Sequence, residues 1–403
     1  MTSPIPGRRR LLVGAAGLAG LAATGGLTGC GALESAGRSP DPAPSVKVSG
    51  RRVRWSRTFP RTYDDDPYPR VVTVADDTVY AGQNGTLHAL SATTGKLRWT
   101  SRYGPIDSVA MDGLRDCAPV VADGVVYVMR NREDKPGVLS ALDARTGKLR
   151  WTFDDTGTGI SPPAVSGDTV CFTTLTSVIT LDAGTGRKRW AVGDSRGTPL
   201  TYGSPAVAGD IVCVADLSNV IVGLDAKTGK KRWIQSDTAD FAAGGQGHAL
   251  SAVGDVVYLS GYCALDLATG KVRWTSTADV PDGMTPVTVA DGALYVSDGH
   301  QSSDAALLTS LDAGTGHARW TFTVHGRNAT TEGPPAVSGD TVCVGSRASG
   351  VFGVDAKTGR QRWHLDTDGN RTGGPVISGD TVYVFVRSPD DVDWFDQLYA
   401  FPV

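Results

Sequence analysis

Leu142-Asp-Ala-Arg-Thr-Gly-Lys-Leu-Arg-Trp151, Leu181-Asp-Ala-Gly-Thr-Gly-Arg-Lys-Arg-Trp190 and Leu224-Asp-Ala-Lys-Thr-Gly-Lys-Lys-Arg-Trp233 are one unit written three times. It recurs at Leu265–Trp274, Leu311–Trp320 and Val354–Trp363, and at Leu90–Trp99 with Ser91 in place of Asp. In Asp-x-x-Thr-Gly the carboxylate can accept backbone N–H groups of a turn, and glycine supplies a positive φ that other residues resist. Each copy therefore predicts a hairpin. Its second strand carries a Trp aimed at the neighbouring sheet and an Arg aimed the other way, toward solvent or an acidic partner. Self-similarity at such a period marks a repeat architecture, so 403 residues can belong to one body.

Upstream of each copy stand two more short apolar runs. Strand A is of the Pro-x-Ala-Val type (Pro162–Val165, Pro205–Val207, Pro334–Val337, Pro375–Ile377), and a tight turn such as Ser166-Gly167-Asp168 leads to strand B, for example Thr341–Gly345. Strand C runs into the Asp-x-x-Thr-Gly turn and strand D out of it, and their alternation predicts one buried face on each. An eighth Arg54-Trp55 lacks the preceding half, while the chain ends in Leu398-Tyr-Ala-Phe-Pro-Val403, a first half without its Arg-Trp. The two halves make one blade. The expectation is all-β: an eight-bladed β-propeller of four-stranded blades over residues 50–403, closed by pairing of its N- and C-terminal segments. Trp55, Trp99, Trp151, Trp190, Trp233, Trp274, Trp320 and Trp363 are assigned to building it.

The Asp-Ala-x-Thr-Gly-x-x-x-Trp unit resembles the repeat of pyrroloquinoline-quinone (PQQ) propellers over essentially all of residues 53–403. As a recurring signature the unit lacks the Gly-His and Trp-Asp pairs of WD40 repeats and the Gly-Gly doublets of kelch repeats, though Gly-His and Gly-Gly occur at single places such as Gly247-His248 and Gly373-Gly374. The resemblance implies two branches: quinoprotein dehydrogenases, and BamB-like lipoproteins of the outer-membrane assembly machinery. The first branch implies PQQ held between a floor Trp and a vicinal disulfide, beside Ca²⁺ and a carboxylate base. This sequence has no Cys-Cys pair, and its Trp residues other than Trp394 fall at the strand D position. The lipoprotein branch fits better, and no cofactor is expected; PQQ or Ca²⁺ stands as the lesser alternative.

Residues 1–29 read as an export signal. Arg8, Arg9 and Arg10 precede an apolar run that ends in Leu27-Thr28-Gly29-Cys30, which resembles a lipobox, so Cys30 would carry the lipid. The arginines suit either a Sec or a twin-arginine route. Residues 30–49 then form a tether holding the body at the outer face of the cytoplasmic membrane or at an outer membrane. The chain is not polybasic, which speaks against nucleic acid as partner, and removing three Arg and no acid takes the formal charge from −3 to −6, so an anionic membrane is not expected to attract the body by its net charge. Of the remaining cysteines, Cys171, Cys213 and Cys343 stand where other repeats have Tyr80, Tyr127 and Tyr383, and read as buried free thiols; Cys117 and Cys263 show no metal-ligand spacing. His88, His248, His300, His317, His325 and His364 are scattered through different blades and form no catalytic arrangement.

Strand order puts the A–B and C–D turns on one face, short and uniform, and the B–C and D–A loops on the other, where lengths vary. Function is expected on the variable face. Asp64-Asp65-Asp66 leaves the shared blade, and Asp390-Asp391-Val392-Asp393-Trp394-Phe395-Asp396 lies in that blade's B–C loop, so the two stretches should be neighbours. Trp394 and Phe395 would anchor a partner while Asp65, Asp66, Asp390, Asp391 and Asp393 select a basic segment or a Ca²⁺ ion. The functional expectation is a non-enzymatic, monomeric, membrane-anchored scaffold that binds envelope proteins, with a sensor or solute-binding lipoprotein, or a PQQ-dependent dehydrogenase-like enzyme, as alternatives. Replacing Cys30 with Ala is expected to abolish metabolic fatty-acid labelling and to shift the protein from the membrane to the soluble fraction, read by fractionation and immunoblot.

Overall fold

The seven complete turns each join two antiparallel strands, as the repeat requires. The computed structural model describes residues 47–48, 52–60, 72–83, 86–103, 118–130, 137–154, 161–174, 176–193, 204–215, 220–236, 249–260, 262–276, 287–297, 305–325, 330–347, 349–387 and 395–403. Among them lie eight antiparallel sheets. Blades 1 to 7 run in chain order; blade 2, for example, is Val120–Ala122, Val125–Arg130, Val138–Asp143 and Leu149–Phe153 as strands A to D. Blade 8 takes Val376–Ser378, Thr381–Arg387 and Phe395–Pro402 from the end of the chain and Trp55–Pro60 from its beginning. Trp55 pairs with Ala400 and Pro60 with Phe395, so the closure expected from the two half-units is observed.

The ring has no single centre of packing. Eight hydrophobic clusters each lie between two successive blades, and the one joining blade 8 to blade 1 (Phe59, Tyr383 and Phe385 against Val79 and Leu90) is of the same kind as the others. Strand C departs from the expected one-sided burial, and strand B is buried as fully. All six residues of Val125–Arg130 are buried, as are five of the six in Val138–Asp143. The reason is that a blade inside a ring packs on both faces, so its middle strands read as continuous apolar runs. Strand D, on the outer edge, is the most exposed of the four and keeps the alternation in blade 2, where Trp151 of Leu149–Phe153 points inward.

One latch repeats around the ring. The Trp151 indole N–H donates to the Ala183 carbonyl in the next blade's turn at 2.9 Å, and Trp55, Trp99, Trp190, Trp233, Trp274 and Trp320 do the same to Ala92, Ala144, Ala226, Leu267, Ala313 and Ala356 at 2.8–3.1 Å. The indole also lies on the turn glycine: a Cβ on Gly147 would sit 2.5 Å from Trp99. In blades 1, 5 and 8 a Tyr from strand B joins in, Tyr80, Tyr258 and Tyr383 donating to the same carbonyls at 3.1–3.4 Å. Trp363 faces the seam, where no turn exists, and packs edge-on against Phe401 with ring centroids 5.6 Å apart.

Two sheets gain a strand. Arg371–Thr372 extends the inner edge of blade 8, and Lys47–Val48, inside the span expected as tether, pairs with Asp366 and Leu365 on the outer edge of blade 7. Residues 43–403 form one compact unit that holds every described strand and all eight clusters.

Gly147 and Gly124 have nearly the same φ, +70° and +69°, but nothing lies within 4 Å of a Cβ built on Gly124. Both Ala substitutions carry the backbone cost of about 1 kcal/mol, and Gly147→Ala adds about 1–3 kcal/mol for pushing Trp99 aside. Urea unfolding midpoints should therefore fall clearly further for Gly147→Ala than for Gly124→Ala.

Candidate functional site

The uniform face is a lattice of carboxylates and arginines. In blade 3 Asp182 Oδ1 accepts the Thr185 backbone N–H at 2.9 Å and its hydroxyl at 2.8 Å, and Oδ2 faces Arg189 at 2.7 Å. Arg189 reaches on to Asp168 in the A–B turn at 2.8 Å, so one guanidinium ties the two turns of the blade together. Arg232, Arg273 and Arg362 bridge Asp210 and Asp225, Asp255 and Asp266, and Asp340 and Asp355 in the same way. Backbone bonds such as Ala183 N–H to the Asp168 carbonyl, 2.9 Å, confirm that A–B and C–D turns share a face. Blade 8 copies the scheme across the seam: Arg54 pairs with Asp380 at 2.7 Å, and the Val403 N–H donates to the Asp380 carbonyl at 2.9 Å.

These contacts hold the carboxylates well below their ordinary range. Arg150, then Thr146, bring Asp143 down to about 2; Arg189 and Thr185 do so for Asp182, Arg273 and Thr269 for Asp266, Arg319 and Thr315 for Asp312, and Arg54 and Thr381 for Asp380. Such groups are poor general bases near neutrality. The thiols are displaced oppositely: burial pushes Cys213 and Cys263 up to about 12, and raises Cys171. Cys171, Cys213, Cys263 and Cys343 are free and buried, as read from their positions for the three strand-B cysteines. Cys117 lies outside the described residues, as do His248 and His300.

On the variable face the structure settles the roots of the candidate patch. Phe395 opens the last strand opposite Pro60, and Asp396 stands opposite both Phe59 and Arg387. The connections 61–71 and 388–394 therefore leave from adjacent positions. Below them Arg387 and Asp396 form an ion pair at 3.1 Å, with side chains 7% and 1% exposed. Asp65, Asp66, Asp390, Asp391, Asp393 and Trp394 lie outside the described residues, as does the lipidation residue Cys30. Among the described residues no group of three or more His, Cys, Asp or Glu is placed to hold a metal ion. Two features escaped the sequence reading. One is the Arg387–Asp396 pair, whose only signal is a charge at each end of an apolar loop root; the other is a one-residue register shift at the Arg of each complete blade, as between Leu149 and Trp151.

The family model described as outer membrane protein assembly factor BamB matches residues 46–135, 84–258 and 237–390, most of the ring. The chain belongs to that family. BamB of Burkholderia pseudomallei is 24% identical over 370 residues, covering 88% of this chain and 80% of the relative. Serine/threonine-protein kinase AfsK of Streptomyces griseus is 33% identical over 126 residues, but these are 30% of this chain and only 15% of the kinase. Among solved structures BamB from Moraxella catarrhalis superposes with a TM-score of 0.61 at 18% identity, covering 88% of this chain and 100% of that one. The quinohemoprotein alcohol dehydrogenase of Comamonas testosteroni reaches the same TM-score at 15% identity, covering 87% of this chain and 76% of that one. At such identities the likeness is one of fold.

Carboxylates whose folded pKa lies below its unfolded value lend stability that is present above the ordinary value and lost as pH falls toward the folded one. With values near 2 for five turn Asp residues, the urea midpoint should be flat from pH 7 to 5 and drop between about pH 4 and 2. Asp182→Asn should lower the midpoint at pH 7 and flatten its fall below pH 4.

Proposed function

We propose that this protein is an exported, lipid-anchored scaffold that binds other proteins of the cell envelope and catalyses no reaction. The observation that carries the reading is where the repeat's polar residues go. Its Trp, Asp, Thr and Arg side chains are taken up by blade-to-blade latches and turn networks, and the sequence irregularity that blade building does not require is concentrated in the B–C and D–A connections. Irregular loops on a rigid frame suit recognition. Family membership supports the same reading, since the matching model and the relative of similar length are named for outer-membrane assembly.

The residues present do not fit PQQ as the quinoprotein branch would hold it. Seven of the ring tryptophans are latched to the neighbouring blade, Trp363 is packed at the seam, and the four described cysteines sit in the cores of blades 3, 4, 5 and 7 with no two consecutive in sequence as a vicinal disulfide needs. Within the scaffold reading the partner-binding residues are Trp394 and Phe395, with Asp65, Asp66, Asp390, Asp391 and Asp393 selecting a basic segment. A truncated aromatic anchor at the centre of an interface costs about 2 kcal/mol or more.

Crosslinking in intact cells followed by mass spectrometry should return a recurrent envelope protein, and the Trp394→Ala/Phe395→Ala double variant should lose most of that crosslink with its melting curve unchanged. Absence of any recurrent protein partner, or a PQQ- and Ca²⁺-dependent quench of tryptophan fluorescence, would overturn the reading.

A further inference from the structure

The uniform face is not uniform in charge. Across blades 2, 3 and 4 its turns and the first residues of strand D carry Arg145, Lys148, Arg150, Arg187, Lys188, Arg189, Lys227, Lys230, Lys231 and Arg232 against Asp123, Asp143, Asp168, Asp182, Asp210 and Asp225. Ten minus six leaves +4, while the chain from residue 30 onward totals −6, so everything else sums to −10. The corresponding count is zero for blades 1 and 5, −1 for blade 6 (Arg319 against Asp291 and Asp312), and +1 each for blade 7 (Lys357, Arg360 and Arg362 against Asp340 and Asp355) and blade 8 (Arg52 and Arg54 against Asp380), so blades 2 to 4 form the longest and most positive consecutive run.

The kind of charge matters as much as its sum. Arg150, Arg189 and Arg232 are already held by turn carboxylates at 2.5–2.8 Å, so the surplus rests on Arg145, Arg187 and the lysines, exposed at the tips of short turns. The three turns are built on one plan, with Ala144, Ala183 and Ala226 each bonded back to the A–B turn of its own blade, and the blades are consecutive. The result is a broad sector of positive charge on repeated short turns. Lysine is a flexible point charge without preferred geometry, which suits a fluid layer of anionic groups better than one shaped partner.

We propose that the turn face of blades 2 to 4 is a docking surface for anionic phospholipid. Membrane proximity rests on the anchored reading above, but the surface itself does not, and the two are separable. On a lipid-anchored body the sector would tip the ring so that these turns meet the headgroups, leaving the far side of the ring open to protein partners. The pull is short-ranged, since a charge in solution is screened within about 10 Å at 0.1 M salt.

The test uses the compact unit, residues 43–403, which carries no lipid, and sedimentation with vesicles of phosphatidylglycerol and phosphatidylcholine in equal parts or of phosphatidylcholine alone. Binding is expected to the anionic vesicles only and to weaken as salt is raised from 50 to 300 mM, as follows for screened contacts at roughly these ionic strengths. Each Lys or Arg near such a surface is worth about fivefold in partition, so the Lys148→Ala/Arg187→Ala/Lys230→Ala variant should bind roughly a hundredfold more weakly. The Lys96→Ala/Lys271→Ala/Lys357→Ala variant removes the same charge from other blades and should change partition far less. Equal binding to both vesicle types, no binding to either, or equal losses in the two triple variants would overturn the proposal. Because residues 43–403 lack Cys30, the result is independent of lipidation, and circular dichroism checks that both variants are folded.

Discussion

The indole that seven of the eight strands D lay on the glycine of the next blade's turn and bond to the carbonyl three residues before it is the constraint from which the ring follows. It joins a residue that ends one repeat to a residue that ends the next, so it can be satisfied only between copies and never within one. A four-stranded sheet with both faces apolar cannot stand in water alone, and the latch fixes both the partner and the angle at which it is met. The glycine is indispensable twice over: φ near +70° excludes a side chain on the turn, and the indole occupies the place where that side chain would be. The small residues opposite Trp on strand C obey the same demand, since a Cβ on Gly223 would collide with Trp233.

The network of Asp, Thr and Arg on the outer turns is secondary to this latch but organised by it. Once the turn is held by its neighbour, the carboxylate gives one oxygen to the turn's own N–H and hydroxyl and the other to the guanidinium. These ion pairs are exposed, and each contributes little by itself. Their regularity does something else: it leaves arginine locked and lysine at the tips, so the face presents a charge pattern rather than a chemical pocket. Recognition with shape has to come from the other side, where connection lengths vary between blades.

The blade plan was legible because a turn motif, a tryptophan and two complementary half-units are written openly in the chain. Arg54-Trp55 without its first half, and Leu398–Val403 without its second, identified the seam before any contact was known. Burial of strand C was misjudged because the pattern of a sheet with one wet face was assumed; Val-Leu-Ser-Ala-Leu-Asp is the run of a strand covered on both sides. The register shift at each Arg left no trace in the spacing, because a bulge adds a residue without changing the order of residue types. Lys47–Val48 reads as linker by composition and is a strand only because the outer edge of blade 7 offers unpaired backbone groups. The candidate patch is traced only as far as its roots, where Pro60 and Phe395 stand opposite one another; its acidic residues lie outside the described residues.

The seam between Trp55 and Ala400 joins residues separated by nearly the whole chain. Such a contact is the last that a polymer can make, since its loop encloses every other blade. A ribosome or a translocation pore that releases the chain from its N-terminus therefore delivers seven stacked sheets that stay open at both flanks until the final strand emerges. A stop codon or a protease cut just before Phe395 would remove one strand and, with it, the circle.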